Sequence, residues 1–93
     1  MGHASQAELT EKFEDAKRQI KVGDVYYHYK KPEADYTIIG LALIEETEEP
    51  AVIYRADYSA NLTWIRPVDN FLEVIDVDGK PQARFVKRAK SDG

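Results

Sequence analysis

The hydrophobic period of the chain changes once, at Val22, and that change constrains the fold more than any other feature. Ahead of it, Leu9, Phe13, Ala16 and Ile20 recur at +4, +7 and +11, which places them on one face of a helix. Ser5-Gln6-Ala7-Glu8 opens that helix as a capping box, the serine hydroxyl and the glutamate each satisfying a free backbone N–H. Glu8 with Lys12 and Glu14 with Arg18 form i,i+4 pairs on its outer side. The apolar stripe can serve a partner or the chain's own sheet. A short helix needs tertiary support, so packing on the sheet is expected.

Beyond Val22 apolar and polar residues alternate in short runs. Residues 24–30 read as a strand with Val25, Tyr27 and Tyr29 on one face and Tyr26, His28 and Lys30 on the other. After a polar turn, residues 36–44 form a nearly all-apolar strand with a bulge or bend expected at Gly40. A charged turn, Glu45-Glu46-Thr47-Glu48-Glu49-Pro50, leads to strands over 51–58 and 62–66. Pro67 stops the second of these because it cannot donate to a ladder, and Val68-Asp69-Asn70 reads as a single 3₁₀ turn.

Asp78-Gly79 is the sharpest local signal, since a two-residue hairpin turn needs positive φ at both central positions. Folding about it pairs Val77 with Lys80, Ile75 with Gln82 and Glu73 with Arg84, and gives Leu72, Val74, Ala83 and Phe85 to the core. From residue 87 the chain reads as a polar tail. Mainly β structure follows, a small SH3-like barrel or roll of five to six antiparallel strands preceded by one amphipathic helix. Closing the sheet would hide its edges. An open antiparallel sheet with the helix on one face is the alternative.

Composition narrows the setting. Ninety-three residues suit one domain, with the helix over 5–21 and the β unit over 22–86. The chain is 43% hydrophobic and 32% charged, a globular balance. A net charge of −4 and a pI near 5.1 argue against a phosphate backbone or an anionic membrane as partner. There is no cysteine, so disulfides and thiolate metal sites are out, and a reducing, cytoplasmic setting is expected. No apolar signal region opens the chain, and the longest apolar stretch, 38–44, is too short to cross a bilayer. Without export the Asn61-Leu62-Thr63 sequon carries no weight. Met1-Gly2-His3 reads as an expression remnant, with residues 1–4 expected as remnant or disordered, which leaves His28 as the one histidine to weigh.

A longer pattern runs through the β region. It comprises Tyr26-x-His28-Tyr29-Lys30, Tyr36-x-Ile38-x-Gly40-x-Ala42, Glu46-Thr47, Val52-x-Tyr54-x-Ala56-x-Tyr58, Trp64-x-Arg66-Pro67, Phe71-Leu72-Glu73, Val77-Asp78-Gly79-Lys80 and Arg84-Phe85. From about residue 22 to 86 the chain resembles the bacterial family catalogued as domain of unknown function 1653. The resemblance implies an SH3-type barrel and leaves activity unassigned. Leu43 and Ile44 stand where an arginine and a histidine are expected, and the turn over 31–35 is longer by a couple of residues.

Alternation supplies one constellation for chemistry. Tyr26, His28 and Lys30 share a face, as do Tyr54, Ala56 and Tyr58, and as do Trp64 and Arg66. Converging, they make an aromatic wall edged by an imidazole and a guanidinium, suited to a planar or anionic ligand. The structural account makes the rings core and Arg66 their cation–π lid. His28, Tyr54, Trp64 and Arg66 are the candidate ligand-binding residues. Arg84 is explained by Glu73 opposite it.

The preferred function is a non-catalytic binding module for a peptide, a protein or a small anionic or planar ligand. The alternative is a small hydrolase or nucleotide-handling enzyme with His28 as base and Arg66 as oxyanion or phosphate clamp. Asp57 and Ser59 can be imagined as triad partners, but no nucleophile-elbow spacing accompanies them. No cofactor or metal is expected, and the basic run of Lys80, Arg84, Lys87, Arg88 and Lys90 gives nucleic acid only a small allowance.

Overall fold

The structure, a computed structural model, describes residues 5–58 and 60–89. The expected remnant at 1–4, Ser59 and the last four residues of the expected tail lie outside the described residues.

Helix α1, Gln6–Gln19, starts as its sequence dictates. The Ser5 hydroxyl accepts from Glu8 N–H at 3.1 Å, and the Glu8 carboxylate accepts from Ser5 N–H at 3.0 Å. The expected i,i+4 pairs do not form. With the Glu8 carboxylate committed to the cap, Lys12 reaches across to Glu49 at 3.0 Å and ties the helix to the turn before β3. Glu14 and Asp15 pair instead with Lys17 and Arg18, three residues on. Ala16 and Ile20 are buried in the core, while Leu9 and Phe13 are half-buried.

Among the described residues seven strands form two antiparallel sheets. The larger contains β1 (Val25–His28), β2 (Asp35–Leu43), β3 (Pro50–Ala56), β4 (Thr63–Pro67) and β7 (Phe85–Lys87), in the order β4-β3-β2-β1-β7. The bulge falls where glycine allows it: the register slips between Ile38 and Gly40, so Ile38 stays fully buried while Ile39 turns outward. After β4 comes one turn of α-helix, α2 (Val68–Phe71), closed by Leu72 N–H on Val68 C=O, rather than a 3₁₀ turn.

The smaller sheet is the hairpin of β5 (Val74–Val77) and β6 (Lys80–Ala83). Asp78 and Gly79 have φ of 54° and 81°, and the pairings of Ile75 with Gln82 and Val77 with Lys80 are those the turn requires. Two expectations fail here. The arm after the turn splits at Arg84, whose N–H bonds Glu73 C=O and whose C=O accepts from Tyr29 N–H. The chain thereby leaves one sheet and joins the other beside β1, giving seven strands in place of five or six. Val74 is 61% exposed instead of core, because the hairpin stands apart once Phe85 has departed.

The closed SH3-like barrel is not what the ladders describe. Among the described residues no ladder joins the edge strands β4 and β7. The larger sheet is curled enough, however, for side chains of both edges to meet. The Phe71 and Phe85 rings stack at 4.2 Å, and the Arg66 guanidinium lies 5.2 Å from the Phe85 centroid. Phe71, Ile20, Ile38 and Val52 are the largest fully buried side chains, and Tyr26, Tyr54 and Phe85 complete the ring cluster. At the far end β7 runs to Lys87, which pairs with the buried Asp24 at 3.2 Å. Arg88 follows, lying over Tyr27 and pairing with Asp35 at 2.8 Å.

Candidate functional site

Strand register brings the four candidate residues together. Trp64 stands opposite Tyr54 and Arg66 opposite Val52 across β3 and β4. One strand further, Tyr36 faces Ala56 and Ile38 faces Tyr54. His28, at the end of β1, is opposite Phe85 of β7. Because the sheet curls, these positions converge on a concavity of about 230 Å³ lined by His28, Tyr36, Tyr54, Tyr58, Trp64, Arg66 and Phe85.

The residues play different parts. Tyr54 and Phe85 are buried, so the structural account holds for them: they are core and floor at once. Trp64 is 50% exposed and forms a rim. Arg66 lies between, its Nε donating to the Tyr54 hydroxyl at 3.2 Å and its Nη1 to the Asn70 side-chain carbonyl. Both acceptors are neutral. Among the described residues Arg66 has no ion pair and its Nη2 no hydrogen bond. A guanidinium positioned this way keeps its full charge and one unused donor edge.

His28 is held neutral. Desolvation lowers its pKa from the ordinary value, and the charges of Arg66, Arg84 and Lys30 push the same way. Its Nδ1 accepts from the Lys30 N–H at 3.2 Å, which fixes the proton on Nε2. In that tautomer the remaining ring nitrogen is a donor and not a base. Of the imagined triad partners, Asp57 is committed to Thr37 and, at 2.9 Å, to Arg55.

Opposite them the Tyr36 and Tyr58 hydroxyls are 2.6 Å apart. Burial first, and then the bond to Tyr58, push the Tyr36 hydroxyl up to about 12. The Lys31 ammonium lies 4.9 Å from the Tyr58 ring. Five rings alone would attract a cation. Here Arg66 already lies over Phe85 inside the concavity and Lys31 over Tyr58, one of its walls, so cations already occupy two of the ring faces although the whole chain carries −4.

Sequence reasoning left out Tyr36, Phe85, Lys31 and Asn70, and kept Tyr58 only on a shared face. Tyr36 follows from its pairing with Ala56, a register hidden by the bulge at Gly40. Asn70 has one faint signal, its +4 spacing from Arg66 across the Pro67 corner. Leu43, one of the departures noted above, is not in the concavity. It lines a larger groove of about 470 Å³ between α1 and β2, walled by Leu9, Phe13, Leu41 and Ala42, with no ionisable side chain. Among the described residues no group of His, Asp or Glu is placed to hold a metal ion, and no helix is long and apolar enough to cross a membrane.

A family model described as a protein of unknown function, DUF1653, matches residues 24–87, more than half of the chain. The chain belongs to the DUF1653 family. The crystal structure of a DUF1653 protein from Bordetella bronchiseptica is similar to it at 32% identity with a TM-score of 0.64. That similarity covers 82% of this chain and 96% of the other. No curated protein matches the chain. The DUF1653 match leaves α1 outside and contains every residue that lines the concavity.

Proposed function

We propose that this DUF1653 domain is a binding module whose concavity takes a carboxylate-bearing, planar ligand. One observation carries the reading: the Arg66 guanidinium is oriented by two neutral acceptors over an aromatic floor, with Nη2 unbonded and no carboxylate partner among the described residues. The guanidinium supplies charge-assisted hydrogen bonds, the rings supply stacking area, and the Nε2–H of His28 adds a donor. A concavity of about 230 Å³ is below the usual range for drug-sized ligands, so a single ring or one acidic side chain suits it. The enzymatic alternative is disfavoured because the lone pair of His28 is already spent on the Lys30 N–H.

Titration with sodium benzoate, followed by amide chemical shifts, tests this. The Trp64 indole and the amides around Tyr54 and Arg66 are expected to shift, and Arg66→Ala is expected to abolish the response. Benzoate shifts that survive in Arg66→Ala, or no shifts in the wild type, overturn the reading. A salt titration of any nucleic-acid binding would separate a phosphate-driven mode from this one.

A further inference from the structure

The concavity opens beside a sheet edge that no other strand covers among the described residues. β4 is the terminal strand of the larger sheet, and its Trp64 and Ile65 are 50% and 61% exposed, with Leu62 just before it at 55%. Ala56 N–H bonds Leu62 C=O at 2.8 Å, which sets the phase of the ladder between β3 and β4. By the alternation of antiparallel pairing, Trp64 and Arg66 also bond β3, whereas Thr63 and Ile65 aim their N–H and C=O outward. No lysine guards this edge. Only Pro67, without an N–H, limits it at one end.

We infer that the carboxylate recognised at Arg66 belongs to an acidic peptide segment that adds to β4 as an extra strand. The inference rests on the anion-binding reading above. Main-chain bonds to Thr63 and Ile65 would supply affinity, and the side chains on the concave face would supply choice. In an added strand, alternate side chains fall on the face that carries Trp64 and Arg66. A glutamate there reaches the free Nη2 edge, and an apolar residue two positions away packs on Trp64. Charge selects the acidic peptide, because Arg66 lines the concavity without an ion pair among the described residues, His28 presents a donor there, and Lys31 lies over the Tyr58 wall.

The test uses the full chain and a capped heptapeptide, Thr-Val-Thr-Glu-Thr-Val-Thr, with benzoate as the small probe. The peptide is expected to slow hydrogen exchange at the Thr63 and Ile65 amides specifically. Replacing its glutamate by glutamine is expected to weaken binding at least tenfold, and N-methylating alternate peptide amides to abolish it. Benzoate binding without peptide binding, or peptide binding without protection of Thr63 and Ile65, overturns strand addition while leaving the anion site standing. Failure of both probes overturns the two readings together. Protection at Thr63 and Ile65 that appears without peptide and fades on dilution assigns the edge to a second copy of the chain, and also overturns the inference.

Discussion

Arg66 and Tyr54 form a diagonal pair across β4 and β3, joined by a 3.2 Å hydrogen bond from the guanidinium Nε to the phenolic oxygen. The bond fixes the plane of the guanidinium, Asn70 fixes its second corner, and the Phe85 ring lies beneath. One side chain thus links two strands, the short helix and the last strand.

Arg66→Met is therefore expected to cost stability as well as binding. It removes two hydrogen bonds and a ring contact from a partly exposed residue, a loss of about 1–2 kcal/mol. For a domain of this size each kcal/mol shifts the melting temperature by about 4–8 °C. Arg66→Lys keeps the charge but cannot span Tyr54 and Asn70 together, so it should melt nearer to the methionine variant than to wild type. Thermal denaturation of the three proteins decides this. A methionine variant as stable as wild type would show that the two bonds do not hold the corner.

His28 predicts an acid limit. Its folded pKa lies below the ordinary 6.5, so the unfolded chain takes up a proton that the native protein refuses. Stability is then fully present above about pH 6.5 and falls as pH drops through the folded value. Urea midpoints measured from about pH 7.5 down to about pH 5 should decline, and His28→Gln should flatten the upper part of that decline. An unchanged slope in the variant would assign the effect to other groups.

What could be read from the sequence was local. The capping box of Ser5 and Glu8 and the turn at Asp78-Gly79 each involve a few neighbouring residues whose chemistry decides the backbone, and both appear as expected. The shared faces of Tyr54, Trp64 and Arg66 follow from strand alternation alone. The partnership of Arg84 with Glu73 follows from the hairpin register and is present, but the change of sheet there was not readable, because the Arg84 C=O is claimed by Tyr29, a residue distant in sequence. The exposure of Val74 depends on that same change. Nor does alternation say how tightly a sheet curls, so it could not distinguish a closed barrel from an open sheet whose edge strands meet through Arg66 and Phe85.

That ring stack carries its own prediction. Phe71 is fully buried, stacks on Phe85 and meets Tyr26 edge-on at 5.0 Å. Phe71→Ala should cost about 3–5 kcal/mol, much of the margin of a small domain. Phe71→Leu keeps most of the volume and should cost less than half as much. Chemical denaturation of both variants measures the difference, and equal losses would mean that the cavity is not what matters.

The tyrosine pair sets an alkaline limit. Tyr36 has a folded pKa of about 12 against an ordinary value of 10.0, so the native state holds its proton where the unfolded chain releases it. The stability this contributes is fully present below pH 10.0 and is lost as pH rises through about 12. Phenolate absorbance should show Tyr36 ionising late, in step with unfolding, beside Tyr26, whose hydroxyl burial also pushes up. Tyr58→Phe deletes the hydroxyl partner at a cost of about 1 kcal/mol and should bring that ionisation earlier. Because burial is the larger cause, the shifted value should still stay above 10.0. A Tyr58→Phe titration with the late tyrosine unmoved would mean that burial alone holds the Tyr36 proton.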